Sequence, residues 1–280
     1  MAFSRIRVLH RGTKILQGLF KPLQAHTLII MHRCEIYCSI PDETVDAQTV
    51  YERIGGMLHA LSEVNPAFNG WVEHSRGNGP IAFSDKARFI GMLAFNARQD
   101  GAEYPAAPSA AGAGANLTTA RTHKEWNTPG CTTINYWPWF GQLTMEIDAP
   151  IEAFGESVAP SIVRRCIAAI AQTIEVKFIS TDVVGPKPEG KGYETYFISH
   201  RLFPHRRWLG WMGFVPELVP RKFIPEAAAM EVVKGRGTII VAVDEPLDLR
   251  NPDHLKRVHQ VELRMANAGL LDITDPSLLE

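Results

Sequence analysis

One local pattern occurs three times and restricts the fold more than any other feature: a strand-like run, an acidic turn that contains proline, and then a helix. The turns are Pro41-Asp42-Glu43, Asp148-Ala149-Pro150-Ile151-Glu152 and Asp244-Glu245-Pro246-Leu247-Asp248, spaced by about a hundred residues. An internal duplication would give this spacing, but acids before a helix are also stabilised by its N-terminal dipole. We favour capping as the explanation. On either explanation, strands and helices alternate along the chain.

Apolar residues recur at spacings of three and four in four segments, which predicts four amphipathic helices. The segments cover residues 50–61, 89–95, 162–174 and 255–268. The second follows an N-cap at Ser84-Asp85. The last has Asn251 as N-cap, Pro252 at its first helical position and Gly269 at its end.

Runs rich in β-branched and aromatic residues, bounded by Gly and Pro, predict the strands. The runs are residues 27–40, 71–74, 132–148, 176–184, 193–200, 208–214, 229–233 and 238–243. Gly141 interrupts the third run, so we expect its halves to pair, and the last two runs form a hairpin. We therefore predict an α+β protein with mostly antiparallel sheets covered by about four helices, arranged as one extended domain or two lobes.

Composition divides the chain into four parts. Residues 1–26 hold five basic residues and no acid, which predicts a basic N-terminal arm that can be disordered. Residues 27–100 are expected to form an N-terminal α/β lobe, 101–130 a loop rich in Ala, Gly and Pro, and 131–280 a C-terminal α+β lobe. A start codon at Met31 is an alternative to a native N-terminal arm.

Charge and cysteine usage favour a cytoplasmic protein without cofactors. The formal net charge of −1 gives no global attraction to nucleic acid or to an acidic membrane. Charges interrupt every apolar run of the basic arm, and no run of ~20 apolar residues could span a bilayer. Cys34 and Cys38 lack the second pair that a zinc site requires, so we interpret them as buried hydrophobic residues that share one face of a strand. We expect no metal.

Short catalytic motifs are missing: the sequence has no nucleophile elbow, no zinc-protease motif, no Walker A loop and no dinucleotide-binding glycine motif. An acid–base set could be drawn from Asp182, Glu194 and His200. The sequence does not bring these three together, so we predict that the protein is not an enzyme. A small cytoplasmic hydrolase or transferase is the alternative. His254 and His259 are five positions apart on a helix and receive no site.

Cations and tryptophans form the remaining notable groups. Arg201, Arg206 and Arg207 lie in the densest basic segment. This segment would bind phosphate or nucleic acid or, as we favour, form a solvated loop between two strands. Alternation puts Trp137 and Trp139 on one strand face, which predicts a shared core role. Trp208 and Trp211 are three positions apart, so in an extended segment one of them should face solvent.

The last quarter of the chain contains the run 207–214 (Arg-Trp-Leu-Gly-Trp-Met-Gly-Phe), the strand 238–243, the helix start Asn251-Pro252-Asp253-His254 and the ending Ala268-Gly269-Leu270-Leu271. These segments and, more weakly, residues 61–71 resemble the immunity protein 52 family. The resemblance covers roughly residues 31–271. It implies a protein that binds and neutralises a toxin made by the same bacterium.

The resemblance also implies the kind of partner: a nuclease toxin with a restriction-endonuclease-like domain, delivered between bacteria by an apparatus such as the type VI secretion system. The partner would then be the cognate toxin, with no direct contact to nucleic acid or membrane. Local acidic turns suit the basic groups with which a nuclease holds DNA. The candidate partner-binding residues are Trp208, Trp211, Arg206, Arg207, Asp244, Glu245, Asp248, Asp42 and Glu43.

Overall fold

A single antiparallel sheet organises the described part of the protein. The computed structural model describes residues 31–75, 79–103, 112–187 and 191–279. Within these ranges the strands are β1 (Arg33–Ser39), β2 (Val72–Ser75), β3 (Gly79–Ala82), β4 (Ala115–Thr118), β5 (Thr132–Trp137), β6 (Gln142–Asp148), β7 (Phe178–Pro186), β8 (Tyr193–Thr195), β9 (Met212–Val215), β10 (Ala229–Val233) and β11 (Gly237–Val241). The helices are α1 (Ala47–Val64), α2 (Lys86–Glu103), α3 (Pro150–Phe154), α4 (Ala159–Thr173), α5 (Tyr196–Ser199) and α6 (Pro252–Asn267).

The named strands all pair in antiparallel fashion and form one sheet in the order β10-β11-β9-β7-β1-β6-β5-β4-β2-β3, with β8 added beside β7. This confirms the α+β class, and the four long helices match the predicted number. Strand β1 lies between β6 and β7, so strands from both predicted lobes alternate in one sheet. Strands of both predicted lobes therefore belong to one sheet.

The side chains of β1 alternate between the two faces of the sheet. Cys34, Ile36 and Cys38 are buried on one side, which we call the helix face, where α1 and α4 also place their buried residues. Cys34 lies near Cys166 of α4, and burial, followed by this neighbour, raises the pKa of the Cys34 thiol. These cysteines are free, as the sequence predicts. The alternate residues of β1, including Glu35 and Tyr37, are half-buried on the polar face.

The register fixes the two ends of the sheet. Ser39 of β1 pairs with Gln142 and Phe178, and we call this the Ser39 end. Arg33 pairs with Asp148 and Val184 at the opposite, Arg33 end. Residues that follow a strand therefore gather at one end or the other according to the direction of that strand.

Several local predictions are confirmed. The strands β5 and β6 pair on either side of Gly141, and β10 and β11 form a hairpin. Helix α4 buries the predicted face from Ile162 to Ile170. The side chain of Asn251 caps α6 by accepting from the backbone N–H of Asp253 at 3.0 Å.

No helix of the described ranges is long and apolar enough to cross a membrane.

Other local predictions are wrong. The predicted loop 101–130 contains the end of α2 and strand β4, because Ala115 and Leu117 are small or apolar enough to be buried beside β5. The predicted strand 193–200 stops at Thr195, whose side chain caps the short helix α5. The predicted basic arm 1–26, the strand residues 27–30 and part of the predicted loop, 104–111, lie outside the described residues.

No acidic residue of the three turns is an N-cap. Helix α1 is capped by Asp46 instead of Asp42 or Glu43, and neither Asp148 nor Asp248 occupies an N-cap. Glu152 of the second turn lies in the first turn of α3, as the dipole explanation expects. Each turn also supplies one carboxylate to an arginine: the ion pairs are Glu43–Arg53, Asp148–Arg33 (2.8 Å) and Asp248–Arg250 (3.0 Å).

Candidate functional site

A groove of about 420 Å³ lies on the polar face at the Ser39 end of the sheet. Tyr37 and Ser39 of β1, together with Ser180 of β7, form part of its floor. One wall comes from the segment between α5 and β9, which supplies Arg201 and Trp208 among others. The opposite rim is the turn between β5 and β6, where Phe140 lies. We call this the arginine–aromatic groove.

Three arginines line the groove, and aromatic rings or backbone groups hold each of them. The Arg201 guanidinium lies over the Phe197 ring, with its carbon 4.4 Å from the ring centroid. Arg206 donates to the backbone carbonyl of Leu271 at 2.9 Å. Within the described ranges neither Arg201 nor Arg206 forms an ion pair with a carboxylate. Their positive charges are therefore open to an external anion.

Arg207 is held differently from the other two arginines. It contacts the Phe178 ring at 5.4 Å and pairs with Asp272 at 3.3 Å. The Asp272 side chain is 65% exposed, so water screens this ion pair. The groove thus keeps a net positive charge even where one arginine has a carboxylate partner.

Trp208 and Trp211 have different roles, and sequence spacing alone did not assign them. Trp208 is half-buried and packs against Tyr37, Tyr196 and Phe197, with centroid distances of 6.0, 6.1 and 5.2 Å. Trp211 is fully buried, and its indole N–H donates to the backbone carbonyl of Val243 at 2.9 Å. The prediction of a partner contact is therefore wrong for Trp211, whereas Trp208 lines the groove.

Two exposed apolar side chains, Phe140 and Phe197, line the groove, and the exposed Ile198 follows Phe197 in the chain. Phe140 is 66% exposed and Ile198 is 79% exposed, and Phe197 is partly exposed beside Arg201. Large exposed apolar groups near cationic side chains are typical of protein interfaces. The sequence analysis did not select Phe140, Phe197 or Ile198. In the sequence, only the position of Phe140 in a turn next to Gly141 indicated that its side chain could be exposed.

Three of the five predicted acidic residues lie away from the groove, whereas Asp42 and Glu43 follow β1 at the Ser39 end, where the backbone N–H of Glu43 donates to the carbonyl of Pro138. Asp244, Glu245 and Asp248 follow β11 and lie at the Arg33 end, because β11 runs antiparallel to β9 and β9 antiparallel to β7. Glu245 and Asp248 line a separate depression there. Asp42 is exposed at the Ser39 end, near Gly141 of the groove. The candidates therefore form two groups at opposite ends.

A row of carboxylates crosses the polar face beside the groove. Glu35 pairs in register with Glu146 on one side and with Asp182 on the other. Arg33 offsets part of this charge, at 3.5 Å from Glu35 and 3.1 Å from Glu146, and Tyr37 donates to Glu35. Burial raises the pKa of Asp182 to about 6. Alternation in β1 could have indicated a polar face, but not which neighbours complete it.

The acid–base residues considered from the sequence are only partly assembled. His200 Nε2 lies 3.3 Å from Glu194 Oε2, so these two do meet. Asp182 uses one oxygen to accept from the backbone N–H groups of Val183 and Phe197. Neither Glu194 nor His200 lines the arginine–aromatic groove. Among the described residues no group of three His, Cys, Asp or Glu is arranged to hold a metal ion.

Comparisons with known proteins give little to identify the chain. No protein-family model and no curated protein matches it. Among solved structures, the Pseudomonas aeruginosa T6SS protein PA0821 is similar over 83% of this chain and 73% of its own, with a TM-score of 0.44 and 11% sequence identity. A similarity this weak carries no argument about fold or function. The resemblance to the immunity protein 52 family therefore depends on the quoted residues alone.

Proposed function

We propose that this protein is an immunity protein, which binds and neutralises a cognate antibacterial nuclease toxin, an effector of a type VI secretion system, in the cytoplasm. The observation that carries the proposal is the arginine–aromatic groove with its exposed apolar rim. Arginine and large aromatic residues contribute most of the binding energy in protein interfaces. The family resemblance of residues 207–214, which include Arg207 and Trp208 of the groove, supplies the kind of partner.

The charge of the groove indicates which part of a toxin it would contact. Guanidinium groups bind carboxylates strongly and with two parallel hydrogen bonds. A metal-dependent nuclease presents carboxylates in its cleft, where they hold the catalytic cation. Arg201 and Arg206 can pair with such carboxylates, which would exclude the metal and block the cleft together. The acidic turn at Asp244 and Glu245 would face basic DNA-binding groups only if the interface extended to the other end of the sheet.

The size of the groove implies a larger interface around it. A stable complex buries about 800 Å² on each partner, which is more than one groove supplies. Phe140 in the lining and Ile198, which follows the lining residue Phe197 in the chain, add exposed apolar surface. We expect these two side chains to be covered in the complex, with Trp208 near its centre.

A second candidate function, a small cytoplasmic hydrolase or transferase, has one observation in its favour. Glu194 can orient His200, and Glu194 Oε1 is buried without a hydrogen-bond partner in the described part of the chain. Glu194 contacts Nε2, which would leave Nδ1 as the base, but neither residue lines the arginine–aromatic groove. We therefore rank this candidate second. A His200→Ala variant that still protects cells from the toxin would argue against a catalytic role in protection.

The deciding experiment uses the nuclease toxin that the proposal expects to be encoded next to this gene. Co-expression should restore growth, the two proteins should elute together from gel filtration, and DNA cleavage by the purified nuclease should stop when this protein is added. If toxicity persists on co-expression and no complex survives gel filtration, the immunity role is wrong. An intact complex that leaves DNA cleavage unchanged would contradict neutralisation while keeping the binding.

A further inference from the structure

A second cavity, of about 730 Å³, opens between α2 and the sheet near the Ser39 end. It is separate from the arginine–aromatic groove, although the turn from Pro138 to Phe140 borders both. Trp139 of this turn lines the cavity, whereas Phe140 lines the groove. The cavity occurs where β2 and β4 diverge, since their register contains only the pair Val72 and Thr118.

Glu73 is the unusual group of this cavity. Glu73 comes directly after Val72, the residue that pairs with Thr118. Its side chain lines the cavity, although the residue is only 5% exposed. One carboxylate oxygen accepts from the backbone N–H of Asn116 at 3.3 Å, and no ion pair with Glu73 occurs among the described residues. Burial raises the pKa of Glu73 to about 7. A carboxylate in this position requires a cation when it ionises.

Aromatic rings form another wall. Trp137 and Trp139 both pack against Gly114, where a Cβ atom would lie 2.9 Å from Trp137 Cδ1 and 3.5 Å from Trp139 Nε1. Both indoles are half-buried and line the cavity, so the predicted shared core role is wrong. The reason is that Trp139 lies in a 3-10 helix, Pro138–Phe140, and not in a strand. Indole faces attract ammonium and guanidinium groups.

The remaining charged groups give the cavity an acidic excess. Asp100 and Glu103 of α2 line it together with Glu73, and Arg88 is the one arginine or lysine in the described lining. His74 is also present and is bound to the backbone oxygen of Ala120 at 2.8 Å. A carboxylate, two indoles and an acidic surrounding together select a cation with an apolar or planar body.

We propose that this cavity binds a guanidinium or alkylammonium group, with Glu73 as the counter-ion and Trp137 and Trp139 as its aromatic walls. The site does not depend on the proposed function, because no residue that lines the arginine–aromatic groove takes part. The cation can belong to a small molecule or to an Arg or Lys side chain of a protein. The chemistry of recognition is the same in both cases.

The test titrates the full chain with butylguanidinium, followed by calorimetry and by tryptophan fluorescence at pH 8. We expect saturable binding, no binding of the neutral analogue butylurea, and affinity at least about tenfold weaker in Glu73→Gln. Gln keeps the acceptor for Asn116, so a thermal unfolding temperature no lower than that of the wild type separates lost charge from lost structure. Glu245→Gln, an exposed acid at the Arg33 end, is the matched control and should bind like the wild type.

A pH series strengthens the assignment to Glu73. Affinity should fall several-fold from pH 8 to pH 5.5 as Glu73 takes up its proton. His74 also lines the cavity. Asp100, Glu103 and Arg88 also face the cavity. The pH dependence of the affinity is therefore assigned to Glu73 only if it is lost in the Glu73→Gln variant. Absence of saturable binding, or equal affinity in a folded Glu73→Gln variant, would overturn the proposal.

Two further ligands distinguish the sources of the cation. Agmatine represents a free small molecule, and the blocked peptide acetyl-Gly-Arg-Gly-amide represents a protein side chain. Tighter binding of agmatine would support a small-molecule ligand, and tighter binding of the peptide would support a protein partner. If neither ligand binds more tightly than butylurea, the cation site is refuted.

Discussion

The Tyr196 hydroxyl donates to Glu262 Oε2 at 2.8 Å, in the interior beside the arginine–aromatic groove. The other carboxylate oxygen of Glu262 accepts from the backbone N–H groups of Leu209 and Gly210 at 2.9 and 3.2 Å. One fully buried acid on α6 therefore holds both ends of the segment that carries the groove. Burial raises the pKa of Glu262, while these donors favour its charged form.

The first prediction follows from this arrangement. Glu262→Ala leaves one hydroxyl and two backbone N–H groups without an acceptor, so we expect the free energy of unfolding to fall by about 3 kcal/mol or more. Glu262→Gln keeps an acceptor for the backbone and should cost less. Urea unfolding of both variants measures the difference. Equal losses for Ala and Gln would show that the hydrogen bonds contribute little.

The second prediction concerns Gly210, whose position next to β7 leaves no room for a side chain. Its φ is +72°, and a Cβ atom would lie 1.9 Å from the carbonyl oxygen of Thr181. Gly235 has nearly the same φ, +71°, but open space around it. Gly235→Ala should therefore cost about 1–2 kcal/mol from backbone strain alone.

Gly210→Ala carries the same strain and a backbone clash in addition. We expect it to cost several kcal/mol more than Gly235→Ala, or to prevent folding. Thermal unfolding and soluble yield of the two variants provide the measurement. Similar stabilities would mean that the segment can move away from Thr181.

The third prediction is a pH dependence of stability caused by Glu73. The pKa of Glu73 is about 7 in the folded protein, against 4.5 for an ordinary Glu, so between these values the folded state binds more protons than the unfolded state. The free energy of unfolding therefore falls as pH rises through this window, by about 3 kcal/mol for this group alone. Glu73→Gln removes the loss.

The measurement for Glu73 is urea unfolding of wild type and Glu73→Gln at pH 4.5, 6 and 8. Because all other titrating groups are shared, the difference between the two proteins isolates Glu73. The variant should gain stability relative to wild type as pH increases. A difference that does not change with pH would show that Glu73 keeps an ordinary pKa.

The fourth prediction compares the two ends of the sheet as partner surfaces. Arg201→Ala and Trp208→Ala should each weaken binding of the toxin by about 2 kcal/mol or more, as expected for residues central to an interface. Glu245→Ala, which removes a charge at the Arg33 end, should change affinity by less than about threefold. Calorimetry with the purified toxin gives the values. The reverse ranking would transfer the interface to the acidic turn.

Sequence patterns anticipated much of the secondary structure because their causes are local. The periodicity of α4, the hairpin of β10 and β11 and the cap at Asn251 depend on residues close in the chain, and the structure confirms all three. The candidate site was anticipated only in part. Arg206, Arg207 and Trp208 stand together in the sequence and also line the groove.

The chain by itself determined an α+β protein with capped amphipathic helices and a basic, tryptophan-bearing segment. Tertiary structure decided which of two similar tryptophans is buried. The indole N–H of Trp211 donates to the carbonyl of Val243, whereas Trp208 packs against aromatic rings at the edge of the groove. It also placed Glu73 beside Asn116, 43 positions apart. Burial and pairing between distant strands depend on which segments become neighbours, and no local pattern contains that information.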